Sequence, residues 1–124
     1  MRVLDTNILI YYLQDSDRRI AAKFNTWHTH HEKLVVSVIT YTEVLSLPSL
    51  AKPEIEQIDR FLNTLMIANV DPETARLAAL FRRTYRVKLA DAMIAATAFL
   101  RDCVVVTRNT KDFNKIKDIA VEKL

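Results

Sequence analysis

Glycine is absent from this chain of 124 residues, and cysteine, tryptophan and proline are scarce. Without glycine, the chain has no loop whose backbone could closely surround phosphate groups, so Walker-type and dinucleotide-binding sites are excluded. Helix ends and turns must instead use asparagine, aspartate and proline, which next best tolerate the backbone geometry found there. The single cysteine, Cys103, excludes an internal disulfide bond and suits a reducing compartment.

Long apolar runs are also missing. No segment reaches the length needed to cross a membrane, and Asp5 interrupts the pattern that a signal peptide needs, so we expect a cytoplasmic protein without a membrane partner. Half of the residues are hydrophobic and 27% are charged, as in a folded globular protein. The length fits one domain covering residues 1–124, and a net charge of +3 permits an anionic partner without requiring one.

Apolar runs alternate with helical patterns along the chain. The pattern predicts strands at residues 2–5, 34–39, 67–70, 103–107 and 119–121. It predicts helices at residues 6–13, 17–32, 41–47, 54–66, 72–85 and 91–100. Strands separated by helices pair in parallel, with the helices on both faces of the sheet. The predicted fold class is therefore α/β: a three-layer domain in which a central parallel sheet is flanked by helices.

Four acidic residues, distant from one another in sequence, lie beside the predicted strands. Asp5 and Glu43 follow the first two strands, Asp112 follows the fourth, and Asp91 opens the apolar helix that precedes the fourth. Because functional residues of parallel sheets gather outside the carboxyl ends of the strands, we expect these carboxylates to converge. Clustered carboxylates raise one another's pKa values unless a cation compensates for their charge. Oxygen ligands of this kind suit Mg²⁺ or Mn²⁺, so the sequence predicts a metal site.

Each of these carboxylates also has an ordinary structural explanation. Asp5 and Asp91 could cap the helices that follow them. Thr40 and Glu43 match a capping box, and Asp112 falls in what could be a simple polar turn. Asp91 is the hardest to explain in this way, because its neighbours along the chain are apolar and an uncompensated carboxylate among them is costly.

Four short blocks, in order along the chain, carry a resemblance to a known family. They are residues 4–9 (LDTNIL), 37–44 (SVITYTEV), 91–98 (DAMIAATA) and 107–113 (TRNTKDF). Together they resemble the PIN domain and, more narrowly, the VapC-type toxins of bacterial toxin–antitoxin pairs. The resemblance covers essentially the whole chain, and it implies a PIN-like parallel sheet flanked by helices.

The resemblance implies a Mg²⁺- or Mn²⁺-dependent endoribonuclease that uses no histidine or serine nucleophile. Asp5 and Asp91 would be the central metal ligands, and Glu43 would bind metal or orient the attacking water. Asp112 would complete the acidic wall, with Asn109 as its rival for that position. The residues implied to orient the carboxylates are Thr6, Asn7 and Thr107. The chemistry would be hydrolysis of an RNA phosphodiester bond by metal-activated water, with one or two metal ions.

For most bacterial members, the resemblance also implies a homodimer and inhibition by a small protein antitoxin. A housekeeping PIN-domain nuclease in RNA processing and a non-catalytic interaction module with the same fold remain alternatives. Retention of all four acidic residues argues against the non-catalytic module. A haloacid-dehalogenase-like phosphatase needs a second aspartate two positions after the first, where this chain has Asn7.

Basic residues flank two of the acidic ones. The candidates for contact with RNA phosphates are Arg82, Arg83, Arg86, Lys88, Arg108 and Lys111. A solvated helix face is the better explanation for any one of them taken alone. Their clustering near Asp91 and Asp112 favours contact with RNA.

Four aromatic residues in the first two predicted helices have two interpretations. They are Tyr11, Tyr12, Phe24 and Trp27. They could mark an exposed apolar groove where a helix or strand of an antitoxin docks. The core of a small domain could equally use all four.

Overall fold

In the computed structural model, which describes residues 1–124, five short strands form one parallel sheet. The strands are β1 (Arg2–Leu4), β2 (Leu34–Ser37), β3 (Met66–Ala68), β4 (Val104–Thr107) and β5 (Val121–Lys123). Their order across the sheet is β3-β2-β1-β4-β5, and each neighbouring pair is parallel. The first strand is therefore central, and its carboxyl end lies between those of β2 and β4.

Seven helices connect and cover the strands. They are α1 (Thr6–Leu13), α2 (Arg18–Thr29), α3 (Val38–Leu45), α4 (Lys52–Leu62), α5 (Pro72–Tyr85), α6 (Leu89–Leu100) and α7 (Thr110–Phe113). No helix combines the length and the hydropathy that crossing a membrane requires.

Alternation along the strands divides the core into two halves, one on each face of the sheet. Val3 and Val105 belong to the half that α5 and α6 cover, whereas Leu4 and Val106 belong to the half formed with α1 and α2. Successive side chains of a strand point to opposite faces, which is why neighbouring residues enter different halves. The predicted three-layer α/β architecture is confirmed.

The helix α6 packs closely against the sheet because its buried face is made of small residues. Ala92, Ala95, Ala96 and Ala98 are all fully buried in the same half of the core as Val3. Small side chains let a helix backbone approach its neighbours, and this approach brings the first turn of α6 to the edge of the sheet. Cys103 is buried just before β4, as expected for a cysteine that serves as a small hydrophobe.

The absence of glycine has a visible consequence at the helix ends. Five residues adopt the left-handed backbone conformation that glycine usually supplies, and each follows a helix. They are Asp15 (φ 50°), His31 (φ 54°), Ser49 (φ 68°), Arg86 (φ 56°) and Asp102 (φ 53°). Two of the five are aspartates, as expected, whereas histidine, serine and arginine at the other three positions lie outside the expectation of asparagine, aspartate or proline.

The transition from β2 to α3 differs from the prediction. The strand begins at Leu34 as predicted, but it ends at Ser37, two residues before the predicted end, and the helix begins at Val38, three residues before the predicted start. The Ser37 hydroxyl accepts a hydrogen bond from the Ile39 N–H over 3.2 Å and caps the helix. The predicted capping box of Thr40 and Glu43 is wrong, because Thr40 lies fully buried inside α3.

Other boundaries shift by smaller amounts. The helix α4 ends at Leu62, four residues before the predicted end, and β5 begins two residues later than predicted. The polar turn around Asp112 is the short helix α7. Asp71 caps α5, as the Asp-Pro pair suggests, since its Oδ1 accepts from the Thr74 N–H over 2.8 Å.

Candidate functional site

Three carboxylates of the predicted set line one cleft at the carboxyl end of the sheet. The cleft has a volume of about 350 Å³. Its lining residues are Asp5, Thr6, Asn7, Ile10, Glu43, Leu47, Lys88, Ala90, Asp91 and Asn109. Asp5, Glu43 and Asp91 therefore meet although 86 residues separate the first from the last, and Asp112 lies beside this cleft rather than in its lining.

Asp5 is the most deeply placed of the acidic residues, with 5% of its surface exposed. Its side chain makes no capping hydrogen bond to α1; instead Oδ2 accepts from the Thr107 hydroxyl over 2.7 Å. Burial raises the pKa of Asp5, and the charge of Glu43 raises it further, while the hydrogen bond from Thr107 opposes both. Asp5 thus occupies the N-cap position of α1, but its side chain makes no capping hydrogen bond, so capping does not account for this carboxylate.

Asp91 is influenced electrostatically by all three of the other carboxylates. It is the third residue of α6, so it is not the N-cap residue; that position belongs to Lys88, whose side chain makes no capping hydrogen bond. Burial, together with the negative charges of Asp5, Asp112 and Glu43, raises the pKa of Asp91 to about 6. Lys88 is the one opposing charge. This mutual influence is the electrostatic signature of carboxylates that share a small volume.

Glu43 is oriented by a threonine of the neighbouring helix. The Thr6 hydroxyl donates to Glu43 Oε1 over 2.6 Å and lies 3.0 Å from the Thr40 hydroxyl. Glu43 is on α3, which Ser37 caps, so the position of Glu43 depends on where β2 ends. Thr40 is a member of the site that sequence reasoning misassigned, because its buried hydroxyl supports Thr6 instead of capping a helix.

Asn109 and Asp112, the two candidates for the fourth position of the site, are joined by a hydrogen bond. Asn109 lines the cleft, and its Nδ2 donates to Asp112 Oδ2 over 2.7 Å. Lys115 Nζ lies 3.3 Å from Asp112 Oδ1. The hydrogen bond from Asn109, together with Lys115, lowers the pKa of Asp112 and keeps this carboxylate ionised. Asn109 thus sits between the cleft and the fourth carboxylate.

The donor atoms of the cleft are suitable for a hard divalent cation. Apart from the amide nitrogen of each asparagine and the Lys88 ammonium, the polar side chains in the cleft offer only oxygen atoms. No three His, Cys, Asp or Glu side chains of the chain form a ready-made metal cage. Mg²⁺ does not need one, because it retains several waters and binds through one or two carboxylates plus substrate phosphates.

The predicted basic residues occupy three different settings. Lys88 lines the cleft, whereas Arg82, Arg83 and Arg86 line a shallow depression next to it in sequence. No carboxylate lies within ion-pair distance of these three arginines. Lys111 is exposed on α7.

Arg108 differs from the other basic residues because its guanidinium is already paired. It forms an ion pair with Asp17 and lies over the ring of Tyr11. Sequence reasoning placed Arg108 with the candidates for RNA contact, since neither Asp17 nor Tyr11 is near it along the chain.

The aromatic residues of α1 and α2 divide between core and groove. Trp27 and Phe24 are buried, and Tyr12 stacks on Phe24 with ring centroids 4.0 Å apart. Tyr12 and Phe24, with Phe61 and Leu65, line a groove of about 680 Å³ on the surface. The groove exists, but Trp27 belongs to the core beneath it.

Comparisons with known proteins agree on one family. The PIN domain family matches residues 2–119. The protein named tRNA(fMet)-specific endonuclease VapC from Salmonella typhimurium is 31% identical, covering 97% of this chain and 95% of its own. A toxin–antitoxin complex from Klebsiella pneumoniae contains a chain that is 32% identical, with a TM-score of 0.82 and coverage of 97% and 96%. A chain of VapBC2 from Rickettsia felis, solved with a DNA fragment from its promoter, is 20% identical, and the match covers 99% of this chain and 98% of that one. Its TM-score of 0.85 shows a shared fold only.

Proposed function

The chain belongs to the PIN-domain family and has VapC proteins among its relatives, and from that premise we propose that it is a Mg²⁺- or Mn²⁺-dependent endoribonuclease, the toxin of a type II toxin–antitoxin pair. The observation that carries the proposal is the cleft in which Asp5, Glu43 and Asp91 meet. Asp91 has a pKa near 6 because burial and the other carboxylates act on it together. A bound cation would offset the repulsion between these carboxylates and would favour their ionised forms.

The residues of the cleft divide the work of hydrolysis among them. Asp5 and Asp91 would hold the cation, and Glu43 would bind it or orient the attacking water. A bound divalent cation lowers the pKa of a coordinated water and offsets the charge that grows on the phosphate. Thr107 fixes the orientation of Asp5, and Thr6 fixes that of Glu43. Hydroxyl groups in such positions hold carboxylates in the geometry that a metal needs.

The remaining members of the predicted site act at its edges. Asn109 joins the cleft to Asp112, which completes the acidic wall directly or through water. Asn7 is exposed in the cleft and is free to contact a bound water or the substrate. Lys88 lies in the cleft without a carboxylate partner, so it can attract an RNA phosphate and also moderate the repulsion felt by Asp91.

The RNA backbone extends from the cleft onto the depression formed by three arginines. Arg82, Arg83 and Arg86 are exposed and lack ion-pair partners, and the segment 86–88 links their depression to the cleft. Unpaired guanidinium groups bind phosphates and release counterions, which is the main source of affinity for nucleic acid. Lys111 on α7 extends the basic surface on the side of Asp112.

Transfer RNA is the first substrate to test. Both curated relatives carry the name tRNA(fMet)-specific endonuclease VapC, and they are 31% and 25% identical to this chain. Because sequence-specific proteins read RNA mostly in single-stranded loops, we expect the cleft to act on an unpaired segment of the tRNA. We take tRNA(fMet) as the probe and a second tRNA of similar size as the comparison.

The partner is a small protein antitoxin. Structures with 28% to 32% identity to this chain are described as VapBC or toxin–antitoxin complexes. The groove lined by Tyr12, Phe24, Phe61 and Leu65 offers an apolar surface on which a helix of the antitoxin can dock. A groove of this composition on a small domain fits the hydrophobic face of an amphipathic segment.

A homodimer is part of the same proposal. Four of the seven large apolar side chains that are exposed belong to α5 and α6: Leu80, Leu89, Phe99 and Leu100. Exposed apolar side chains concentrated on one pair of packed helices mark a surface suited to association. Sedimentation of the wild type and of Phe99→Lys would test the pairing, with a shift toward the monomer expected for the variant.

A cleavage assay tests the enzymatic proposal. Purified protein is incubated with tRNA(fMet) in Mg²⁺ or Mn²⁺, in chelator, and as the Asp5→Asn variant. We expect cleavage only by the wild type with metal. A modified substrate tests the nucleophile: tRNA with a 2′-deoxy sugar at the cleaved position should still be cut, because water and not the 2′-hydroxyl attacks the phosphorus. If the RNA stays intact with an equimolar amount of wild-type protein and either metal, the result would favour the alternative of a non-catalytic interaction module.

A further inference from the structure

Arg108 lies between two residues of the site and is tied to three other parts of the fold. Its Nη2 donates to Asp17 Oδ2, and its Nε donates to the backbone carbonyl of Leu124 over 3.2 Å. Its Cζ lies 4.9 Å from the centroid of the Tyr11 ring, within the range of a cation–π contact. One guanidinium therefore connects the end of β4 with α1, with the start of α2 and with the residue that follows β5.

The residues on either side of Arg108 act directly on the carboxylates of the site. The Thr107 hydroxyl donates to Asp5, and it accepts from the Asn109 N–H over 2.8 Å. Asn109 in turn donates to Asp112. Planar peptide units join the three consecutive residues, so an anchor at the middle one restricts both of its neighbours.

The partner of Arg108 is itself firmly placed. Asp17 caps α2 by accepting from the Arg19 N–H over 2.8 Å, while its other oxygen accepts from Arg108. The hydrogen bond from Arg108 holds the pKa of Asp17 well below its usual range. A planar guanidinium can donate to Asp17 and to the Leu124 carbonyl at once while stacking on a ring, which a lysine ammonium cannot do.

We propose that Arg108 is a positioning residue of the metal site, which acts as a clamp that holds Thr107 and Asn109 where the carboxylates need them. This inference rests on the proposed function, because the site that Arg108 positions is the proposed metal site. It is offered in place of the interpretation of Arg108 as an RNA contact, because Nη2 and Nε of its guanidinium already donate to Asp17 and to Leu124.

The chain contains a matched control at the opposite end of the sheet. Arg2 pairs with Glu32 over 2.6 Å and with Glu122 over 2.7 Å, and it lies over the ring of Trp27 at 5.5 Å. The side chain of Arg2 is 26% exposed and that of Arg108 is 29% exposed. Both arginines thus combine ion pairing with an aromatic contact, but Arg2 lies at the amino ends of the strands, away from the cleft.

The first test measures Mn²⁺ binding to the metal-free protein by calorimetry. Arg108→Ala and Asp17→Asn should each weaken binding by about 3–10-fold, somewhat less than loss of a group that contacts a ligand directly. The double variant should be no weaker than the weaker single variant, because both changes break one clamp. Asparagine retains the cap of α2, and Arg2→Ala should bind as the wild type does.

Two further comparisons separate the clamp from an RNA contact. Arg108→Lys keeps the charge but not the planar group. If Arg108 acts as a clamp, this variant should bind Mn²⁺ at least about threefold more weakly than the wild type. An RNA contact would instead be largely restored by lysine, and Asp17→Asn would leave cleavage unchanged while Arg108→Ala raised only the KM for RNA. Either of those results would overturn the proposal, as would wild-type Mn²⁺ affinity in Arg108→Ala.

A second test needs no metal and therefore stands apart from the proposed function. Amide hydrogen exchange at Asn109, followed by NMR in the metal-free protein, should be about fivefold faster in Arg108→Ala and Asp17→Asn, and unchanged in Arg2→Ala. If the wild type binds no Mn²⁺, the proposed function fails, and this exchange rate still decides whether Arg108 clamps the turn. Unchanged exchange in Arg108→Ala would overturn the proposal whatever the metal data show.

Discussion

The Thr107 hydroxyl donates a hydrogen bond of 2.7 Å to Asp5 Oδ2 and so joins the ends of two neighbouring strands that are 102 residues apart in the chain. Asp5 is buried, and this hydroxyl is the side-chain donor that balances part of the cost of burying its charge. The strand β4 thus carries the group that orients Asp5, the proposed metal ligand that directly follows β1.

Thr107→Val should therefore impair the metal site more than it impairs the fold. We expect Mn²⁺ affinity and RNA cleavage to fall by about 10–100-fold, as when a group that orients a metal ligand is removed. Thr97→Val is the matched control, because Thr97 is also buried but donates to the Met93 carbonyl within α6. Equal cleavage by the two variants would contradict the role given to Thr107.

Asp91 should destabilise the metal-free protein near neutral pH. Its folded-state pKa of about 6 lies above its ordinary value, so its favourable contribution is present below the ordinary pKa and is lost as the pH rises from about 4 to about 6. Asp91→Asn should consequently melt about 3 °C higher than the wild type at pH 7.5 without metal, and equally at pH 4. Differential scanning calorimetry checks this, with Glu56→Gln as the control for loss of an exposed carboxylate.

Added metal should reverse the order of the two melting temperatures, so that the wild type melts above Asp91→Asn. Mn²⁺ binds the folded wild type, so it should raise its melting temperature in proportion to the logarithm of the metal concentration, and it should leave Asp91→Asn nearly unchanged. A wild type that melts at the same temperature with and without millimolar Mn²⁺ would argue against binding by Asp91.

Ser37→Ala should destabilise the domain through the helix that carries Glu43. The Ser37 hydroxyl caps α3, and loss of such a cap costs about 1 kcal/mol. Urea unfolding measures the change, and Ser46→Ala provides the control, since the Ser46 hydroxyl donates to the Thr42 carbonyl at the other, exposed end of the helix. If Ser46→Ala costs as much as Ser37→Ala, capping is not the reason.

Arg82→Gln combined with Arg86→Gln should weaken RNA binding without slowing the chemical step. We expect the KM to rise by about 3–10-fold with kcat unchanged, and the slope of log affinity against log salt to fall by about 1.4 for two lost phosphate contacts with single-stranded RNA. Lys52→Gln with Arg60→Gln removes two exposed charges from α4 and should change neither quantity. An equal rise of KM in both double variants would indicate a general effect of net charge.

Much of this arrangement could be predicted from the sequence because strand ends are easy to locate. Asp5 directly follows a short apolar run, and parallel pairing of β1 with β2 places it at the same edge of the sheet as the start of the helix that carries Glu43. The alternation of strands and helices along the sequence was sufficient to predict the three-layer fold. These features depend on local patterns and on a general property of parallel sheets.

The errors arose where two elements meet without a loop. Because Ser37 both ends β2 and caps α3, the apolar residues Val38 and Ile39 belong to a helix although they continue the strand pattern. The pairing of Arg108 with Asp17 was also beyond prediction, because 91 residues separate them and each has a local explanation as a surface charge. Side-chain partners of this kind follow from the packing of α1 and α2, which no local pattern specifies.

The most direct test of the proposed metal site is a measurement of Mn²⁺ binding, in which electron paramagnetic resonance detects the free ion. It compares the wild type with Asp91→Asn and Glu56→Gln. If the cleft carboxylates hold the cation, Asp91→Asn should bind Mn²⁺ at least about tenfold more weakly than the wild type. Glu56→Gln, which removes an exposed carboxylate outside the cleft, should bind as the wild type does. Equal binding by all three proteins, or none by the wild type, would contradict a metal site formed by Asp5, Glu43 and Asp91.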